Sequence, residues 1–82
     1  MLKTRDIIQG LEILDQYRNR SGCDVGCEHD AIYAFPTDVK LVDSDIQKMI
    51  DLGWHQEHEE VDYNTDFSIS DYRQEESWVG YC

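Results

Sequence analysis

Between Thr4 and Tyr17, apolar side chains recur every three or four residues: Ile7, Ile8, Leu11, Leu14 and Tyr17. That spacing predicts an amphipathic helix with a buried stripe. Thr4 is placed to cap it, and Ser21-Gly22 marks the exit. Gly10 falls inside the helix and costs it up to about 1 kcal/mol relative to alanine. Arg18 and Arg20 lie near the C-terminus, where positive charge complements the helix dipole. A second stripe of helical period comprises Ile46, Met49, Ile50 and Leu52. Asp43 or Ser44 can cap this helix, and Ser44 with Gln47 has capping-box spacing. Gly53 stands where a helix end calls for a residue that tolerates positive φ. Trp54 follows at once, so a large apolar ring is fixed at the mouth of the next element.

Elsewhere the period shortens to two. Residues 23–28 read as a polar turn, with glycines at 22 and 26. His29 to Phe35 reads as a strand, with Ala31, Tyr33 and Phe35 on one face and Ile32 and Ala34 on the other. Both faces are largely apolar, which suits a central strand, and Pro36 ends it. Trp54 to His58 reads as a second strand, with Trp54, Gln56 and His58 facing one way and His55 and Glu57 the other. Residues 59–76 show no period and read as a long acidic loop or insertion, in which Phe67 to Ser70 could form a short strand or turn. Ser77 to Tyr81 closes the chain as a third strand, with Trp78 and Gly80 opposed to Val79 and Tyr81.

The expected fold is a single α+β domain over residues 1–82, in the order α-β-α-β-β. Two helices would cover one face of a small three-stranded sheet. The strand–helix–strand order implies a right-handed crossover and a parallel pair, hence a mixed sheet; a wholly antiparallel sheet is the alternative. A chain of 82 residues buries only about 60–65% of its unfolded surface, so its stability margin is thin.

Charge changes the picture more than any other compositional feature. Eighteen acids oppose seven bases, for a net charge of -11. Residues 1–22 carry four bases and three acids, residues 23–53 two and seven, and residues 54–82 one and eight. The acidity therefore belongs to the later two thirds. Such a field repels nucleic acid and anionic membranes and attracts basic partners, although solubility alone would also account for it. Three cysteines cannot all pair within one chain. The first residues contain no apolar signal region, and no stretch is long enough to span a bilayer. The expectation is a cytoplasmic protein with reduced thiols.

Two short patterns, Glu28-His29-Asp30-Ala31-Ile32-Tyr33 and Leu52-Gly53-Trp54-His55, resemble those of small acidic uncharacterised proteins encoded by phages and bacteria. Those proteins share a leucine-rich first helix, a Glu-His-Asp-x-hydrophobic-Tyr strand, a capped helix ending Leu-Gly-Trp and a closing strand with tryptophan. The resemblance spans most of residues 7–58 and Ser77–Tyr81. It implies a fold and a phage-like setting, in which the location would be the host cytoplasm, and it implies no reaction. The long acidic segment departs from that pattern, since the relatives look shorter there.

Candidate chemistry is sparse. Cys23, Cys27 and His29 lie in one turn, with His55 and His58 further on, and zinc favours such ligands. The Cys-x3-Cys spacing is not the usual tight knuckle, and strand alternation separates the two histidines, so no metal site is expected. Asp62-x-Asn64-x-Asp66-x-Ser68 opens like a calcium loop, but Phe67 replaces the required glycine and Arg73 the bidentate glutamate. Glu28-His29-Asp30 offers a general acid or base, yet alternation would place His29 opposite both carboxylates. No nucleophile elbow, zinc-protease helix or phosphate loop is present.

The functional expectation is a non-enzymatic binding protein without cofactors. Its working surface would be Glu57, Glu59, Glu60, Asp62, Tyr63 and Asp66, where acids surround an aromatic ring. DNA presents one negative charge per about 1.7 Å of axis, so a compact acidic protein can occupy the basic groove built for it. The partner would be a basic protein, of the host nucleic-acid-binding or defence type, with no direct contact to nucleic acid or membrane. An inhibitor of the anti-CRISPR or anti-restriction kind fits this expectation, and a homodimer stays open. A small structural-zinc module is the alternative.

Overall fold

The computed structural model describes residues 2–18, 25–58 and 67–81. Helix α1 spans Thr4–Asp15. Its cap is Lys3 rather than Thr4, and the Lys3 backbone N–H donates to Asp6 Oδ2 at 3.0 Å. The carboxylate thus serves the first turn in the way a capping-box acid does. Gly10 and Leu14 are buried, while Ile7, Leu11 and Ile13 are partly so. Ile8, expected in the buried stripe, is instead half exposed, while Ile13 takes a place against the core. Gly10 occupies the centre of the buried face because Trp54 presses against it: a Cβ there would stand 2.2 Å from the indole Nε1. The indole N–H donates to the Asp6 carbonyl at 3.1 Å.

Strand β1, Val25–Glu28, and strand β2, Ala31–Ala34, form an antiparallel hairpin whose last pair is Glu28 with Ala31. This corrects two expectations: the polar turn over 23–28, of which 25–28 are a strand and 23 and 24 lie outside the described residues, and one strand over 29–35. The turn is His29-Asp30, directly after β1. Histidine and aspartate both tolerate the left-handed region, and His29 takes φ 53°. Gly26 is a strand residue, and the Phe35 ring occupies the space above it.

Helix α2 spans Asp43–Leu52. Its cap is Val42, not Asp43 or Ser44, and no side chain closes the cap. Asp43 and Asp45 instead place negative charge in the first turn, and Gln47 donates to Asp51 at 2.8 Å along the helix rather than back to Ser44. The C-terminus ends as the sequence implies. Gly53 has φ 104°. Its N–H reaches the Ile50 carbonyl at 3.0 Å, and the Trp54 N–H reaches that of Met49 at 3.0 Å. This pair of bonds is the Schellman closure.

Strand β3, Trp78–Tyr81, pairs antiparallel with β2, and the sheet order is β1-β2-β3. The fold is α+β, but the order is α-β-β-α-β and the sheet is antiparallel, not mixed. Trp54–His58 is not a ladder strand. It makes one bridge, His55 to Val79, on the far side of β3. Because β3 opposes both β2 and this segment, the segment runs in the same direction as β2, and β3 is inserted between them. The N-terminus shares that edge, where the Leu2 N–H donates to the Tyr81 carbonyl at 2.7 Å.

Both helices pack on one sheet face. The core joins Leu14 of α1 and Ile46 and Met49 of α2 to Ala34, Trp78, Trp54, Leu41 and Leu2. Part of the segment expected as a loop packs against this core. A short 3-10 turn, Ile69–Asp71, brings Ile69, Phe67 and Tyr72 against it. Phe67 meets Trp78 edge-on at 5.6 Å, and Tyr72 stacks on it at 5.7 Å. Buried Gln56 locks the segment down: its Nε2 donates to the Arg73 carbonyl at 2.8 Å, and its Oε1 accepts from the Arg73 N–H at 2.8 Å.

Candidate binding surface

Alternation along β2 and β3 sends every second side chain away from the helices. Register then decides which residues meet. Tyr33 pairs with Val79, and Val79 with His55, so the three form one row across the outer face. Ala31 pairs with Tyr81 in the next row, beside Glu28. Phe35 extends the same face over Gly26. Among the described residues, no helix covers this side. Phe35 is 37% exposed and Tyr81 40%, while Val79, in the middle of its row, is buried.

Glu57 completes the face. The Tyr81 hydroxyl donates to Glu57 Oε1, and His55 Nε2 approaches the same oxygen at 3.3 Å. The His55 and Tyr81 rings stack with centroids 5.4 Å apart. Two side chains therefore hold one carboxylate oxygen in place. No donor among the described residues reaches the other oxygen, Oε2. The arrangement is a fixed, half-exposed acceptor beside aromatic rings.

Of the expected working residues, Glu57 is thus part of a built surface. Glu59, Glu60, Asp62, Tyr63 and Asp66 lie outside the described residues. Tyr33, His55, Val79 and Tyr81 were not expected to act together. The alternation in each strand announced their individual faces, but only register shows that those faces are one.

The other candidates separate. Cys23 is not among the described residues. Cys27 is exposed on β1, and His29 stands at the exposed tip of the hairpin with Nε2 3.9 Å from Glu28 Oε1. That tip offers solvated groups without a cleft. His58 is engaged elsewhere, with Nε2 2.8 Å from the Asp71 carbonyl; since a carbonyl only accepts, this nitrogen carries the proton. Among the described residues, no three His, Cys, Asp or Glu side chains group as metal ligands. Ser68 closes the calcium-like pattern but serves its own turn, donating through its hydroxyl and its N–H to Asp71 Oδ2 at 2.9 Å each. These bonds, the backbone one first, hold the Asp71 carboxyl below the usual carboxylate range. Among the described residues, no helix is long and apolar enough to cross a membrane.

A shallow groove of about 380 Å³ lies between the helices, where Gln9, Glu12 and Ile13 face Lys48, Asp51 and Leu52. Its lining mixes both charge signs and selects no partner.

In comparisons with family models, curated proteins and solved structures, nothing matches the chain.

Proposed function

We propose that this chain is a non-enzymatic binding protein that engages a basic surface on another protein. One observation carries the reading: the open aromatic sheet face ends in the oriented Glu57, at the start of the most acidic stretch of a chain with net charge -11. Charge alone attracts partners weakly and without selection, whereas aromatic residues in a desolvated centre supply anchorage. The surface combines the two. Its specific form, in this proposal, is charge mimicry: the protein occupies a groove that otherwise holds phosphates and excludes nucleic acid from it. The resemblance to small phage and bacterial proteins supports inhibition of a host defence or nucleic-acid-binding protein as the biological use, in the cytoplasm of the host.

The test is capture and competition. Immobilised protein should retain basic nucleic-acid-binding proteins from a bacterial lysate, and added duplex DNA should release them. A variant carrying Glu57→Gln, Glu59→Gln, Glu60→Gln and Asp62→Asn should retain them poorly. Equal retention by both proteins, or retention indifferent to DNA, would refute the proposal.

A further inference from the structure

We infer that the outer sheet face is an arginine-docking site, in which Glu57 receives a guanidinium that lies against the Tyr81 and Tyr33 rings. This deepens the proposed function and rests on its premise that the partner is basic. The argument starts from the carboxylate. Tyr81 and His55 both address Oε1, so the side chain is oriented before any ligand arrives, and Oε2 is left to accept. A preorganised acceptor loses less freedom on binding than a mobile surface glutamate. The second component is aromatic. Tyr81 has His55 stacked on its ring and still exposes 40% of its surface. Tyr33, half-buried, stands diagonally across from it, one row away. Cations are drawn to such ring faces, and arginine more than lysine, because its plane can stack while its edge hydrogen-bonds.

Charge selects the occupant. A second copy of this chain would bring another net charge of -11 against Glu28 and Glu57, so self-association on this face is opposed. An acidic or phosphorylated ligand is opposed for the same reason. A purely apolar segment would strand the unsatisfied Glu57 oxygen away from water. A basic segment presenting arginine satisfies both the carboxylate and the rings.

The probe is a capped nonapeptide alternating arginine with glycine, compared with its lysine and citrulline versions. Binding to the whole chain is followed by amide NMR shifts at low and at physiological salt. The arginine peptide should move the amides of 31–33, 55–57 and 79–81, and it should bind several-fold more tightly than the lysine peptide, with citrulline weakest. Glu57→Gln should weaken it about tenfold, as loss of a charge-assisted bond does. Tyr81→Leu should weaken it too. Should Tyr81→Leu unfold, Glu57→Gln, which keeps the shape and the acceptor for Tyr81, decides alone. Equal binding of arginine and lysine peptides, with shifts confined to 59–66, would overturn the site while leaving the broader acidic-binding reading intact. No shifts with any peptide would overturn it as well, and the capture experiment then judges the broader reading separately. Shifts in these same amides on raising protein concentration alone would assign the face to self-association and overturn it.

Discussion

Trp78 and Tyr81 sit three residues apart on β3, yet the first is 1% exposed and the second 40%. Trp78 faces the helices, clamped by Phe67 and Tyr72 and packed into a core with Leu14, Ile46 and Met49. Tyr81 faces away, on a side where Glu57 and His55 are its neighbours. Similar ring chemistry therefore does two different things on one four-residue strand. Inside, an aromatic ring contributes area removed from water and close packing. Outside, it offers a face and a hydroxyl, and the hydroxyl orients a charge. The difference comes from what the rest of the chain lays over each face, not from the residues themselves.

Removing one ring from each side of β3 should give very different losses. Trp78→Ala should cost about 3–5 kcal/mol of stability, as large-to-small changes in a packed core do. Tyr81→Ala should cost about 1 kcal/mol or less, as changes at exposed positions do. Urea denaturation of both variants measures this, and equal losses would mean that the outer face is core after all.

Gly10→Ala comes next. Helix propensity favours alanine by up to about 1 kcal/mol. The added Cβ would meet the Trp54 indole at 2.2 Å, so overpacking should reverse the sign and cost about 1–3 kcal/mol. A stabilised variant would show that the Trp54 seat is loose. Gly53→Val should cost a similar amount, about 1–3 kcal/mol, because a β-branched residue resists φ 104°. Its Cβ would also stand 2.8 Å from a methyl carbon of Leu2. Thermal melts of the two glycine variants, read beside substitutions at Gly26 on the outer face, extend the contrast to small residues.

The contact between the two helices is sensitive to pH. The Tyr17 hydroxyl donates to Asp45 and accepts from the Val42 N–H, tying the end of α1 to the start of α2. The bond to Asp45, followed by partial burial, raises the Tyr17 pKa. A raised value means stability that is complete below the unfolded tyrosine pKa of about 10 and is lost as pH climbs through the folded value. Tyr17→Phe should therefore lower Tm near neutrality, and its deficit against wild type should shrink above pH 10. A deficit constant with pH would mean that the bond does not form. The smallest effect lies at Asp71, whose lowered pKa contributes stability present above about pH 4 and lost as pH falls through the folded value. In Ser68→Ala the Asp71 titration, followed by NMR, should move back toward the ordinary carboxylate range.

Much of this fold is legible along the chain because the relevant physics is local. A period near 3.6 buries one helix side, and the stripes of Leu14, Ile46 and Met49 follow from it. The Gly53 turn is legible because few residues other than glycine reach that φ without strain. The two sides of each strand are legible because a pleat alternates. The hairpin is harder to read, since His29-Asp30 is a weaker turn signal than glycine, and Gly26, which suggests a turn, lies in a strand.

The α+β class, the helix stripes, the two-faced strands and the acidity are all written along the chain. It takes the folded chain to show that β3 enters between β2 and the Trp54–His58 segment, that Gly10 is the seat of Trp54, and that Tyr33, His55, Glu57 and Tyr81 share one sheet face. The physical reason is range. Propensity, periodicity and turn chemistry act between residues a few positions apart, whereas the β2–β3 register joins residues 44 to 50 positions apart and the Tyr81–Glu57 bond spans 24. Such contacts exist only once the chain has closed on itself, and the surface proposed to bind depends on them.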